Sequence, residues 1–356
     1  MLNLFKVEFL NYLLRGDMVT LKQIAAMAGV SISTVSRILN SPDNSFASQE
    51  VRDRVWKVVK EIGYVPNQSA RELKLGKSKR TAPPSISCIL GRTKQLDDDP
   101  FFAQISRAIE QKAVDLGYAM HLSYSLFDIE TDALLDQIKS SQTDGAIILG
   151  RFSNDSMNFL EQHYKNLVYV GRNVIAASCD QVISDGYEAT QIAIKHLIAS
   201  GHKEIGYIGE TTNEVRYEAY CDILREYGLK YSANWVSNCP QNGSGGYQGA
   251  ELLLAKASPL PTAVFCSNDI AAIAALRRFT EEKIKVPEQL SIISMDNIEL
   301  SGYVSPMLTT VGMPIVEMGN WAVQLLIDRI HKRRKLPAKV MLPNKLIIRE
   351  SVAKLT

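Results

Sequence analysis

The stretch from Thr20 to Asn40, TLKQIAAMAGVSISTVSRILN, constrains this chain more than any other. Two short apolar-periodic segments flank a tight turn at Ala28-Gly29-Val30-Ser31. Thr20 is placed to cap the first segment as a helix, and Gln23, three residues on, completes a capping box. Ile24, Ala25 and Ala28 recur at helical spacing and so share one face. Ser31 is placed to cap a second helix whose inner face is Val35, Ile38 and Leu39. Its outer face offers Ile32, Ser33, Thr34, Ser36 and Arg37, which are small or hydroxylated apart from one guanidinium. A slim helix of this kind suits the major groove of DNA, where hydroxyls meet phosphates and an arginine pairs with a guanine edge. An ordinary helical hairpin would share the periodicity, so the neighbouring residues have to decide.

The pattern continues through a third helix, SQEVRDRVWKVVKEIG, into Tyr64-Val65-Pro66-Asn67 and Ala70-Arg71-Glu72-Leu73. Together with Thr20-Leu21-Lys22-Gln23-Ile24-Ala25, Ala28-Gly29-Val30-Ser31, Thr34-Val35-Ser36-Arg37 and Leu39-Asn40, these residues resemble the lactose/galactose repressor family of bacterial transcription factors. The resemblance extends almost to the C-terminus. It implies a small all-α helix-turn-helix N-terminal domain followed by an α/β sensor of the periplasmic-binding-protein type, with two doubly wound parallel-sheet lobes.

At 356 residues the chain is too long for one small core. Its net charge of +2 hides an asymmetry. Residues 18–80 hold 11 Lys/Arg against 5 Asp/Glu, the first 17 balance, and residues 81–356 therefore carry −4. A basic headpiece on a mildly acidic body suits a protein that meets phosphates with one end only. The five cysteines (Cys88, Cys179, Cys221, Cys239, Cys266) are scattered and lack a CxxC pair, which reads as buried thiols in a reducing cytosol. The five histidines show no metal-ligand spacing, and neither a metal nor a cofactor is expected. No run approaches the roughly 20 apolar residues that span a bilayer. Residues 1–17 have no counterpart in the family and lack the basic start of a signal peptide, and translation is expected to begin at Met18. The remaining boundaries are read as a headpiece at 18–66, a hinge and linker at 67–84, and a ligand-binding and dimerisation domain at 85–356.

Carried over position by position, the resemblance implies that Ile32, Ser33 and Arg37 read bases. Ile32 departs from the polar or aromatic side chains sometimes found there and suits a thymine methyl. Thr20, Ser31, Thr34, Ser36 and Asn40 are the implied phosphate anchors, which fix register without reading sequence. In the third helix Val51, Val55, Val58, Val59 and Ile62 face the core, with Trp56 half-buried, while Arg52, Arg54, Lys57 and Lys60 either touch DNA or form a solvated face. The segment NQSARELKLG reads by itself as a basic linker, because a short isolated helix is marginal in water. The resemblance makes it a hinge that turns helical in the minor groove, with Ala70 and Arg71 beside the bases and Leu73 as the wedge.

From Ser85 onward, ISCIL, YAMHLSY, GAIILG, LVYVG, QVISD, EIGYIG, TAVFCSND and LSIISMD read as buried parallel strands alternating with amphipathic helices. One such helix, Gln104–Leu116, carries Ile105, Ala108, Ile109, Ala113 and Leu116 on its apolar stripe. By resemblance the chain crosses between lobes near Ser184, near Thr310–Met313 and near Pro337. This gives lobe 1 as about 85–184 and 312–336, and lobe 2 as about 185–311 and 337–350. The closing IIRESVAKLT is read as a strand and a few further residues. It lacks the heptad helix of tetrameric relatives, so a homodimer and a pseudo-palindromic operator are expected.

In such sheets ligands lie beyond the carboxyl ends of the strands. Arg216, Asn268 and Asp296 match family positions that bind effector. Phe101 and Phe102, in the Asp99-Pro100-Phe101-Phe102 run, offer an aromatic cover, and Arg151 and Arg172 follow strands. Asp269 fits either a ligand contact or a helix cap, and Arg151 and Arg172 fit either ligand contacts or salt bridges between lobes. Gly171 stands where sugar-binding members often place a carboxylate, so the two arginines leave room for an anionic or phosphorylated ligand. No nucleophile elbow, phosphate loop or metal cluster is present, and Ser200-Gly201-His202 reads as a helix-ending turn, so no enzyme is expected. The expectation is a cytoplasmic, nucleoid-associated repressor of a carbohydrate-utilisation operon, released by a small sugar, a galactoside being one candidate. The alternatives are regulation by a corepressor (small metabolite or phosphoprotein) and a sugar sensor that does not bind DNA.

Overall fold

The computed structural model describes residues 21–40, 47–61, 83–91, 99–125 and 143–355, and the chain divides into two compact units, Met1–Ala82 and Pro83–Thr356. The first unit contains α1 (Leu21–Ala28), α2 (Ile32–Asn40) and α3 (Gln49–Glu61). Gly29 between the first two sits at φ +66°, where a Cβ would be strained and where helices commonly end. Val30 N–H returns to the Ala25 carbonyl at 3.0 Å, closing the turn. Ser31 Oγ accepts from Thr34 N at 3.0 Å, the N-cap bond read from the sequence. Ile24, Ala25, Ala28, Val35, Val55 and Val59 form the core, with Ile38, Leu39 and Val58 partly buried against it. Trp56, at 44% exposure, is about half-buried, as expected. Thr20 and Ile62 lie outside the described residues.

The second unit holds two six-stranded sheets among its described residues. The first has β1 (Ser85–Leu90), β2 (Ala119–Ser125), β3 (Gly145–Leu149), β4 (Leu167–Gly171), β5 (Asp180–Ser184) and β11 (Lys339–Leu342), all parallel, in the order β11-β5-β4-β3-β1-β2. Helices α4 (Pro100–Asp115), α5 (Asn154–His163) and α10 (Ile315–Ile330) pack on it. The second sheet has β6 (Ile205–Gly209), β7 (Val236–Asn238), β8 (Ala263–Cys266), β9 (Ser291–Asp296), β10 (Thr309–Gly312) and β12 (Lys345–Ile347), in the order β12-β10-β9-β8-β6-β7. Its helices are α6 (Gly186–Ala199), α7 (Val215–Glu226), α8 (Gly243–Lys256) and α9 (Asp269–Glu281). Only β12 runs antiparallel to its neighbour among these pairs. β3, β4, β5 and β6 are buried at every position, and all but β5, which buries Asp180, Gln181 and Ser184, are near-continuous apolar runs.

The chain leaves the first sheet after Ser184 and re-enters its lobe between Gly312 and Ile315. The last crossing falls later than Pro337, because Lys339–Leu342 pairs with β5 and the step to the second sheet lies between Leu342 and Lys345. Buried Asp180 explains the shift. It accepts from Arg329 Nε and Arg334 Nη2 at 3.0 Å and from Ala338 N at 2.5 Å, fixing this segment to the first sheet. Burial alone would raise its carboxyl, but the Arg334, Ala338 and Arg329 bonds hold it below the ordinary value. The C-terminal run also differs from expectation. Strand pairing stops at Ile347, and the tail is threaded along the second lobe by Ile292 N to Ser351 O at 2.8 Å and Leu355 N to Ser200 O at 2.8 Å. On α4 the apolar stripe ends at Ala113, since Leu116 is the exposed C-cap.

Candidate DNA interface and effector site

On α2, Ser33 and Arg37 are exposed on the face opposite buried Val35, and Ile32, at the start of the helix, shows 48% of its surface. Ser31 Oγ also lies 2.7 Å from Ser33 Oγ and 2.8 Å from Thr34 Oγ1, so the three hydroxyls form one linked group at the start of α2. Thr34 and Ser36 are half-buried. Arg52 is committed elsewhere, donating to Ala47 O at 2.8 Å and Gln49 Oε1 at 2.6 Å, while Arg54 and Lys57 are exposed. Ala70, Arg71 and Leu73 of the hinge lie outside the described residues, as do the side chains of Lys22, Asn40 and Lys60.

In the second unit, residues at the carboxyl ends of strands from both sheets meet. Arg172, just after β4, places Nη2 2.6 Å from Asp296 Oδ1 at the end of β9, both almost fully buried. Its guanidinium carbon lies 4.1 Å from the Phe101 ring centre and 5.4 Å from that of Phe102, a cation–π arrangement. Those rings are placed by Asp99, which caps α4 through Oδ1 to Phe101 N at 3.2 Å and Phe102 N at 3.4 Å. Asp296 and Asn297 have φ of +116° and +56°, an unusual pair for side-chain-bearing residues. Arg349 holds the second of them, donating Nη2 to Asn297 Oδ1 at 2.6 Å and Nη1 to Leu308 O at 2.7 Å. Burial pushes the Asp296 carboxyl up to about 6, Asp99 adding to the rise and Arg172 and Arg216 opposing it.

Arg216 opens α7 and is fully enclosed. It donates Nε to Glu214 Oε1 at 2.6 Å, Nη2 to Glu214 Oε2 at 2.9 Å and to the Gln241 side-chain oxygen, and Nη1 to Ser267 O at 2.6 Å. Glu214 is also the N-cap of α7, and receives Gln241 Nε2 at 2.8 Å. Arg151 reaches it from the first lobe, Nη2 to Glu214 Oε2 at 2.7 Å, with Nη1 3.2 Å from Glu210 Oε2. A small cavity of about 50 Å³ lies between Phe102, Arg151, Tyr169, Arg172, Glu214 and Arg216. It holds a few waters at most.

Of the seven residues expected to line an effector site, Phe101, Phe102, Arg151, Arg172, Arg216 and Asp296 converge here. Asn268 does not join them. Its Oδ1 caps α9 at Ala271 N (2.9 Å) and its Nδ2 donates to Gln241 O (2.9 Å). Asp269 does not cap α9, whose N-cap is Asn268; it accepts from Ser294 Oγ, from Thr310 Oγ1 at 2.6 Å and from Ile298 N at 2.9 Å, tying β9, β10 and α9 together. Arg151 and Arg172 make the interlobe salt bridges that were the alternative to ligand contacts. Glu214, Gln241 and Tyr169 were not foreseen. One signal for Tyr169 was available: Tyr-x-Gly closes both LVYVG and IGYIG, and a Cβ on Gly171 would run into the Tyr169 hydroxyl at 2.0 Å, while one on Gly209 would meet Ser267 Oγ at 2.3 Å and lie 3.1 Å from the Tyr207 hydroxyl. Gly171 thus leaves room for Tyr169 where a carboxylate was expected in sugar-binding relatives. Among the described residues no group of His, Cys, Asp and Glu stands together as a metal site, and no helix is long and apolar enough to cross a membrane.

Comparison with known proteins agrees with this arrangement. Residues 20–67 match the model of bacterial regulatory proteins, lacI family, and residues 194–352 match the periplasmic binding protein-like domain. The HTH-type transcriptional repressor PurR of Pasteurella multocida (strain Pm70) is 33% identical over 342 residues, covering 94% of this chain and 99% of that protein. The PurR repressor of Mannheimia succiniciproducens is 30% identical over 347 residues, covering 95% and 100%. Among solved structures, the transcriptional regulator CelR–cellobiose complex matches with a TM-score of 0.69 at 28% identity, covering 94% of this chain and 99% of that one. The lac repressor dimer bound to operator and the anti-inducer ONPF shares the fold, with a TM-score of 0.65 at 23% identity over 95% of this chain and all of that one. A helix-turn-helix headpiece and two parallel-sheet lobes thus stand in one chain beside repressors that match it end to end, and this chain belongs to the lacI family of bacterial regulatory proteins, as a DNA-binding transcriptional repressor and not an enzyme.

Proposed function

We propose that this repressor controls a carbohydrate-utilisation operon and leaves its operator when a small sugar enters the cleft between the lobes. The observation that carries the reading is the meeting of Phe102 and Arg172 from the first lobe with Glu214 and Arg216 from the second around one cavity, since aromatic faces and paired polar groups are what a sugar's apolar face and hydroxyls require. The CelR complex holds cellobiose and an Enterococcus faecium regulator of similar fold (TM-score 0.66, 26% identity) holds ribose, both in support. Ile32, Ser33 and Arg37 read bases. Thr20, Ser31, Thr34, Ser36 and Asn40 anchor phosphates, and Ala70, Arg71 and Leu73 enter the minor groove. The chain works as a homodimer on a pseudo-palindromic site. Exposed Leu300, Tyr303 and Met307, beside a tail segment in which Ile348 is also exposed, supply the apolar surface such an interface needs. Effector binding releases DNA only insofar as it favours the state with lower operator affinity.

A gel shift on the chain's own upstream promoter, repeated with a panel of sugars and sugar phosphates, tests the whole reading. A specific shift abolished by one sugar is the expected result. A shift that forms only when a compound is added overturns induction and makes the compound a corepressor.

A further inference from the structure

Three stretches of chain cross between the lobes, and one side chain stands where they meet. Asn344 lies in the last crossing, between Leu342 of β11 and Lys345 of β12. Its Oδ1 accepts from Ser184 Oγ at 2.8 Å, and Ser184 is the fully buried last residue of β5 in the first lobe. Its Nδ2 donates to Asp185 O at 2.9 Å and to Glu188 Oε2 at 2.7 Å, at the cap and in the first turn of α6 in the second lobe. Lys345, the next residue, pairs with Gly312, where the middle crossing begins. All three crossings therefore meet at Asn344 or beside it.

The chemistry of this spot suits an amide. Asparagine offers one oxygen and two N–H donors on a short stem. The Asp185 carbonyl and the Glu188 carboxylate only accept, so both donors point at α6 and the oxygen is left for the Ser184 hydroxyl. Aspartate, of the same shape, would turn an oxygen toward those two acceptors. Leucine, of similar volume, would leave the buried Ser184 hydroxyl without its acceptor. The same stretch of chain also reaches the cleft. Gly186, beside Asp185, donates its N–H to Arg172 O at 2.8 Å, and Arg172 is the residue that bridges to Asp296 of the other lobe. Rotation of the lobes about the first crossing therefore moves the amide's bonds and the root of that bridge together. Crossings absorb the backbone change of any such rotation, and a side chain bonded on both sides of the pivot limits how freely they do so.

Resting on the reading above only for the link between lobe angle and operator affinity, we propose that Asn344 is a positioning residue at the pivot of the sensor. Its amide clips the last crossing to the first and keeps the lobes near one angle. It does not line the cavity of the cleft, so its influence on the repressor runs through the angle of the lobes and not through contact with an effector there.

The test is hydrogen–deuterium exchange of the full chain, read by mass spectrometry beside an operator gel shift. Asn344→Leu should speed exchange about 10-fold in the peptide holding Asp185–Glu188, while α9, away from the crossings, exchanges as in wild type. Operator binding should weaken about 2- to 30-fold, because lobes spread over more angles spend less time at the competent one. If that variant fails to fold, Ser184→Ala removes one bond of the clip with the smallest change and is read in the same way. Asn344→Asp should loosen the pivot as Asn344→Leu does. Adding Glu188→Gln supplies a donor where one was lost, and should bring pivot exchange back to within about 3-fold of wild type. Unchanged exchange at the pivot, faster exchange in α9 as well, no recovery in the paired variant, or full operator affinity despite a loosened pivot overturns the proposal. Failure of every sugar to release the operator leaves these readouts as they are, so the clip and the sugar reading fall separately.

Discussion

At the scale of single residues, the same two side-chain types do unlike work in the two units. Arg37 is exposed on α2, where a guanidinium can make the bidentate guanine contact, whereas Arg216 is enclosed and spends its donors on Glu214, Gln241 and Ser267. Arg37→Ala should therefore lose about 1–3 kcal/mol of discrimination at one base pair of the operator. Binding to a set of single-base operator variants measures it, and an unchanged preference profile would remove Arg37 from base reading. The buried carboxylates carry a pH signature. Burial raises Asp269 to about 7, nearby Asp296 adding, and Asp296 itself to about 6, both from an ordinary 3.8. The folded state therefore keeps protons that the unfolded chain has already lost. Their contribution makes stability fall as pH rises from about 4 to about 7 and level off above that. Asp269→Asn should flatten this fall, read as the difference in urea unfolding free energy between mildly acidic and neutral buffer. Equal slopes in wild type and variant would mean that Asp269 is ionised throughout.

At the scale of elements, the headpiece shows how a short sequence specifies a local fold. Ser31 as a cap, Gly29 in the left-handed turn and the Ile24–Ala25–Ala28 face are all legible because each depends only on neighbours within a few positions. The strands were legible for the opposite reason: burial on both faces makes most of them near-continuous apolar runs. β11 and β12 escaped that signal because they are edge strands with alternating or mixed exposure, and the last crossing was misplaced with them. In the cleft, Arg172 and Asp296 could be found as strand-end residues. Gln241 could not, because it satisfies Arg216 across 25 positions, a pairing set only by tertiary packing, whereas Glu214, two residues before Arg216 and the N-cap of the same helix, was a local signal. With so few buried side chains, the headpiece has little reserve. Ile24→Ala is expected to cost about 2–5 kcal/mol. Calorimetry should show the headpiece transition lost and operator binding with it, while the melting of the sensor unit stays where it was. Coupled loss of both transitions would contradict two separately folding units.

At the scale of the whole sensor unit, three chain crossings make each lobe discontinuous in sequence while leaving few backbone connections between them, so side chains set how the lobes close. Two sets do so here, Arg172–Asp296 and Arg151 with Glu210 and Glu214, each running from the first lobe to the second. They are unequal. Arg151 is half-exposed, and such a pair contributes about 0–1 kcal/mol. Removing one partner of the buried Arg172–Asp296 pair costs about 3–5 kcal/mol, much of it the penalty of stranding the other charge. An open cleft hydrates Asp296 and Glu214, so part of that penalty is relieved by opening rather than by unfolding. The double substitution Arg151→Ala/Arg172→Ala should accordingly shift the lobes toward an open state, seen as a larger radius of gyration in small-angle X-ray scattering of the ligand-free protein. It should also lower the pH dependence of that radius, because the carboxylates then ionise in water. An unchanged radius would mean that the bridges follow closure set by packing elsewhere. In that case an effector would have no electrostatic latch to replace, and its leverage on the operator would have to come from contacts with the two lobes alone.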